Sequence, residues 1–200
     1  VIACLMAAPA DVGAADAGAA DAGELAAGAA DHHFGVLLNG SWRGWSQGGD
    51  KEWGAGRGVE TVNHGNVHYY DAGMHAAHAR CGDAGCALIV NPPNARTVEQ
   101  FHIHFVRYMA YGMSLKRRLE RKVCGTVGAW RSGGLPCHGK AAFFHGFPGV
   151  FSKALMTGGV SHASVIAWPR ACGGSGTIVQ LAYGCSIEHQ IKGDYDPRHR

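Results

Sequence analysis

The stretch "TVEQFHIHFVRY", residues 97–108, limits the possible folds more than any other part of the chain. Its apolar and polar residues alternate with a period of two, which is the period of a β-strand and not of a helix. As a strand it puts Gln100, His102 and His104 on one face and Phe101, Ile103 and Phe105 on the other. The apolar face belongs against a core. The polar face, with two imidazoles two residues apart, needs a chemical explanation.

The surrounding segments supply the rest of a sheet. "FGVLLNG" (34–40) reads as a buried strand ending in a glycine turn, and "GCALIVN" (85–91) as another. "ASVIAWP" and "TIVQLAYG" are apolar runs separated by "RACGGSG", the signature of a β-hairpin with a glycine turn. "SLKRRLERKV" has helical spacing. With 31 glycines in 200 residues, many turns and short elements are expected instead of a helical bundle. The fold class is therefore α+β, an antiparallel sheet with packed helices. The glycine- and tryptophan-rich region from Trp42 to Gly65 reads as a long loop.

Composition sets the domain limits. Residues 1–30 are Ala/Gly/Asp-rich with few large side chains to pack, so they read as a flexible or weakly helical lead. The opening "VIACLMAAPA" reads as the remnant of a signal peptide or membrane anchor. Residues 31–193 carry the packed domain, and 194–200 form a polar tail. A net charge of +3, without a basic stripe interleaved with aromatics, predicts no nucleic-acid partner. None of the seven cysteines forms a CxxC pair. A zinc ribbon or thioredoxin motif is thus not expected, while up to three disulfides can form in an oxidising compartment.

By themselves, the residues leave several chemistries open for the His-x-His strand. Two histidines on one strand face can ligate zinc, and His64, His68, His75 and His78 are available as further ligands. A non-catalytic metal- or ligand-binding domain is one reading. Nucleophilic catalysis by an imidazole is another.

The wider stretch "ALIVNPPNARTVEQFHIHF", residues 87–105, resembles the histidine-triad superfamily, and within it the CDP-diacylglycerol diphosphatase family. In that family a strand ending in Asn leads through an Arg-Thr loop to an alternating "FHIH" strand; here Asn91, Arg96, Thr97, Gln100, His102 and His104 fit without a gap. "HHFGVLLNGSW", "VGAWRSGGLPCHG" and the closing "SHASVIAWPRACGGSGTIVQLAYGCSIEHQI" are similar to other parts of the family more weakly.

The resemblance implies a histidine-triad-like sheet and hydrolysis of CDP-diacylglycerol to CMP and phosphatidate, with no metal or other cofactor. It implies His102 as the nucleophile and His104 as a phosphate contact or proton-transfer group. Gln100, at the first triad position, orients its neighbours, since an amide cannot shuttle protons. Asn91 and Thr97 are expected to hold phosphate or leaving-group oxygens, and Arg96 to add charge. Lys153 falls where the family has basic residues near the site. A histidine-triad hydrolase or transferase of a soluble nucleotide conjugate is the alternative substrate class.

"YMAYGMSLKRRLERKV" sets Met109 and Met113 beside Lys116, Arg117, Arg118, Arg121 and Lys122. Such a pattern suits an anionic membrane surface. The expected location is membrane-associated and extracytoplasmic or secretory.

Overall fold

A computed structural model describes residues 51–81 and 86–192. The Ala/Gly-rich lead, the strand expected at "FGVLLNG" and the 194–200 tail lie outside the described residues.

Among the described residues, seven strands form one sheet: β1 (Lys51–Arg57), β2 (Ala87–Val90), β3 (Gln100–Val106), β4 (Arg131–Ser132), β5 (Lys140–His145), β6 (Ala163–Ala171) and β7 (Gly176–Tyr183). Their order across the sheet is β1-β3-β2-β6-β7-β5-β4, and every neighbouring pair is antiparallel. Helices α1 (Val67–Cys81), α2 (Ala110–Val123), α3 (Val150–Leu155) and α4 (Ile187–Ile191) cover the two faces. The chain is α+β, as its alternating segments predict.

The register explains why two faces need cover. Leu88 pairs with Phe105 on one side and Ala167 on the other, and Ile89 pairs with His104 and Ile166. Facing partners share a face, so Leu88 and Ile89 point to opposite sides of the central strands. Leu88, Phe101, Ile103, Val165 and Leu181 form one core with Tyr69, Tyr70 and Met74 of α1 and Phe151 of α3. Ile89, Val106, Ile166, Trp168 and Ile178 form the other with Leu115 and Leu119 of α2 and Ile187 and Ile191 of α4. Strand β2 is buried on both sides, so its run "ALIV" shows no alternation.

Helix α2 buries Gly112, Leu115, Leu119 and Val123, a stripe at three- and four-residue spacing. Gly112 permits a close approach: a Cβ there would lie 3.2 Å from the Ile191 Cβ of α4. The two helices on the histidine face therefore pack closely there.

Disulfides Cys81–Cys86, Cys124–Cys172 and Cys137–Cys185 tie helix ends and loops to the sheet. The last of them anchors the segment that leads into α4.

Two findings correct the sequence reading. Part of the region expected as a loop from Trp42 to Gly65 is strand β1, followed by a 3-10 turn at Val59–Thr61. The strand pairs along β3, with Trp53 opposite His102 and Arg57 opposite Gln100, so the neighbouring strand's backbone holds this glycine-rich segment extended. Lys153, expected near the site, sits on α3, which packs on the face opposite His102 and His104, and its ammonium lies 5.6 Å from the Phe144 ring centre.

Candidate active site

The polar face of β3 opens into a cleft of about 580 Å³. One wall is the β2–β3 connection, with Asn91, Asn94, Arg96 and Thr97. The other is the β7–α4 connection, Gly184–Ser186, together with Glu188 and His189. His102 and His104 form the floor between them, their ring centres 4.7 Å apart.

Each imidazole is held by its Nδ1. His102 Nδ1 lies 2.7 Å from the Gln100 carbonyl oxygen. A carbonyl only accepts, so Nδ1 carries the proton and Nε2 of the neutral ring is the basic nitrogen. His104 Nδ1 lies 3.0 Å from Glu188 Oε1. Its Nε2 is buried and has no hydrogen-bond partner among the described residues.

Behind His104 stands a buried polar chain. Asn91 Nδ2 donates to Glu188 Oε2 at 2.8 Å, and Ser164 Oγ donates to Asn91 Oδ1 at 3.2 Å. Ser164 thus fixes which way the Asn91 amide faces, and Asn91 in turn fixes the carboxylate plane. Burial pushes the Glu188 carboxyl upward, but the hydrogen bond and charge of His104, the Asn91 amide and Lys192 at 3.8 Å outweigh it and hold the group at about 2. Glu188 is therefore an anion through the neutral range, opposite an imidazole whose second nitrogen is turned away from it.

The other expected residues separate into groups. Asn91 and Thr97 line the cleft, Asn91 buried and Thr97 exposed. Gln100 shares the histidine face, but its side-chain amide donates to the Gly54 carbonyl of β1, and it is absent from the cleft wall. It also orients His102, through its backbone carbonyl.

Arg96 lines the cleft with its guanidinium engaged. Two nitrogens meet the Glu60 carboxylate at 2.6 Å each, and one meets Glu99 at 3.0 Å. Desolvation opposes ionisation of Glu60, and the Arg96 contacts overcome it, leaving the carboxyl below its usual range. The Glu60 hydrogen bond raises Arg96 in turn. Lys153 lies outside the cleft.

Sequence reasoning missed Glu188 and Ser164 as parts of the site. The signal for Glu188 is a lone acid in "SIEHQI", and its helix is only five residues long. His64 and His68 are exposed, and His75 and His78 pack against Phe147. No group of three His, Cys, Asp or Glu among the described residues is arranged to hold a metal.

Fold and site together define an α+β protein with a two-histidine cleft, one imidazole fixed by a carbonyl and the other by a buried carboxylate. No protein-family model matches the chain, and no curated protein matches it either.

Proposed function

We propose that the chain hydrolyses the diphosphate bond of CDP-diacylglycerol, giving CMP and phosphatidate through a phospho-histidine. The observation that carries the reading is the pair His102 and His104, side by side in one cleft, the first held at Nδ1 by a backbone carbonyl and the second by a buried carboxylate. The resemblance of residues 87–105 to CDP-diacylglycerol diphosphatases supplies the substrate class.

In the first step, His102 Nε2 attacks the phosphorus that carries cytidine. The bond from that phosphorus to the bridging oxygen breaks, and the electron pair leaves on phosphatidate. A phosphate monoester, with a second pKa of about 6, departs as a stable anion. In its doubly protonated form His104, held at Nδ1 by Glu188, donates from Nε2 to a phosphoryl oxygen as negative charge develops. In the second step, water attacks the same phosphorus, the N–P bond breaks, and CMP leaves with His102 restored. Splitting the reaction in this way replaces one difficult attack by water with two easier displacements.

Asn91 acts on this reaction through Glu188. Arg96, neutralised by Glu60 and Glu99, shapes the cleft wall instead of supplying net charge to the phosphates. Three disulfides accord with an extracytoplasmic location.

The test is turnover on CDP-diacylglycerol beside CDP-ethanolamine, ADP-ribose and a nucleoside phosphoramidate, for wild type and His102→Ala. We expect CDP-diacylglycerol to be preferred and the variant to lose at least about a thousandfold with its melting temperature retained, since a covalent nucleophile supplies several kcal/mol of transition-state stabilisation. Activity of the variant within about tenfold of wild type would remove His102 from the role. Preference for a soluble conjugate would move the substrate class to soluble nucleotides.

A further inference from the structure

We infer that the outward face of α2 docks the protein on an anionic lipid surface, with the active-site cleft held beside that surface. Helix α2 has an inner stripe, Gly112, Leu115, Leu119 and Val123, buried against the sheet. Two of its polar groups are already engaged: Lys116 Nζ donates to the carbonyls of Pro169 and Arg170 at 3.2 and 3.1 Å, and Glu120 accepts from the Cys172 amide at 3.1 Å. Arg117, Arg118, Arg121 and Lys122 remain, all exposed.

Those four cations have no carboxylate among them, because Glu120 is the helix's only acidic residue. Arg117 and Arg121 are one turn apart, and so are Arg118 and Lys122. Like charges at that spacing repel and destabilise an isolated helix. A helix face that only needs solvation usually mixes signs. A single-sign face instead fits a partner of opposite charge.

The apolar end of the same face selects lipid over nucleic acid. Met113 precedes Arg117 by one turn on the same row, and Met109 stands just before the helix; they are 46% and 58% exposed, among the most exposed large apolar side chains of the described residues. Tyr108 and Tyr111 are half-buried at that end. Long apolar side chains and tyrosines beside arginines are the composition of a helix lying in a headgroup layer.

The apolar end is also the end near the cleft. Gly112 packs against Ile191 of α4, and α4 carries Glu188 into the cleft wall. Docked this way, α2 brings the cleft to where a diacyl lipid's diphosphate sits. Docking is independent of turnover, whereas its use in presenting a lipid substrate rests on the hydrolase reading above.

The test uses flotation of the full chain with phosphatidylcholine vesicles, with and without phosphatidylglycerol, and compares wild type, a variant with Arg117, Arg118, Arg121 and Lys122 all changed to Gln, and Met113→Ser. Each basic contact with an anionic surface is worth about fivefold, so the four-cation variant is expected to bind phosphatidylglycerol vesicles several hundredfold more weakly, and added salt to mimic it. Met113→Ser is expected to weaken binding in a salt-independent way. Melting of the four-cation variant should stay level or rise as the repulsion is relieved, which separates docking from a fold-supporting role. Equal binding by the variant, equal binding of wild type to neutral vesicles, or tighter binding to single-stranded RNA than to vesicles would overturn the inference. A chain that floats as expected yet turns over neither CDP-diacylglycerol nor CDP-ethanolamine would retain docking and lose the hydrolase reading.

Discussion

Glu188→Gln is the most informative substitution behind the histidine pair. The carboxylate accepts from two donors at once, His104 Nδ1 and Asn91 Nδ2. Glutamine at this position offers one accepting oxygen and one NH2, so with the oxygen kept on Asn91 the NH2 faces His104 Nδ1, donor against donor until that nitrogen gives up its proton. Asn91 cannot turn to relieve the conflict without losing the hydrogen bond from Ser164. The fall of the Glu188 carboxyl from an ordinary 4.5 to about 2 corresponds to roughly 3 kcal/mol of differential interaction at most, and screening at the exposed Lys192 edge lowers this to about 2 kcal/mol.

A depressed carboxyl stabilises the fold above its unfolded-state value and loses that contribution as pH falls through its folded value. The gap between wild type and Glu188→Gln is thus expected to be full at pH 6, to shrink below about pH 4.5, and to close toward pH 2. At pH 6 a loss of about 2 kcal/mol appears as a melting temperature lower by about 4–8 °C. On the hydrolase reading, turnover is expected to fall about 100- to 1000-fold, because His104 loses the carboxylate that fixes its ring. Calorimetric melts across pH, with turnover at pH 6, check both halves. A stability gap of the same size at pH 6 and pH 3, or no gap at either, would refute the assignment of an ionised Glu188 behind His104.

Three further substitutions probe the surroundings. Gln100→His leaves the backbone carbonyl that orients His102 in place while changing the side chain bonded to Gly54, so at least part of the activity should persist; complete loss with an intact fold would show that the amide itself is required. Glu60→Gln removes the two-pronged partner of a guanidinium whose side chain is only 2% exposed, and should cost about 2–3 kcal/mol in urea unfolding, partly offset by Glu99, with little change in KM. Replacing Cys137 and Cys185 together by Ala opens a link spanning 48 residues, expected to cost about 4 kcal/mol by chain entropy and to lower turnover by loosening the segment that leads to Glu188; unchanged kinetics would show that α4 is held by its packing on α2 alone.

Where local pattern and tertiary role agree, the fold is legible in the sequence. Strand β3 alternates, β6 and β7 are apolar runs around a glycine turn, and α2 carries a clean inner stripe, so each declares its class within its own residues. Strand β1 does not: "KEWGAGR" carries few strand-forming side chains, and its extension comes from β3, some fifty residues away. Helix α1 is equally opaque: Tyr70, Met74 and Ala77 lie at helical spacing, but the alanines, glycine and histidines between them leave little contrast between its faces.

The site shows the same division. The face shared by Gln100, His102 and His104 follows from the strand period alone. The acid behind His104 comes from 84 positions further along the chain, and the pairing of six cysteines likewise depends on tertiary approach. Lys153 illustrates the converse: proximity inferred from a position in the chain gives no information about which side of a sheet a helix covers.

The proposed reaction passes through a covalent phospho-histidine at His102. Brief incubation of the chain with CDP-diacylglycerol labelled in the cytidine moiety, followed by quenching and peptide mapping, measures it directly. A CMP label on the peptide containing His102, approaching one per chain before steady state, acid-labile and absent from His102→Ala, is the predicted result. Steady turnover with no label on the chain at any quench time, or a label on His104 that survives in His102→Ala, would contradict it.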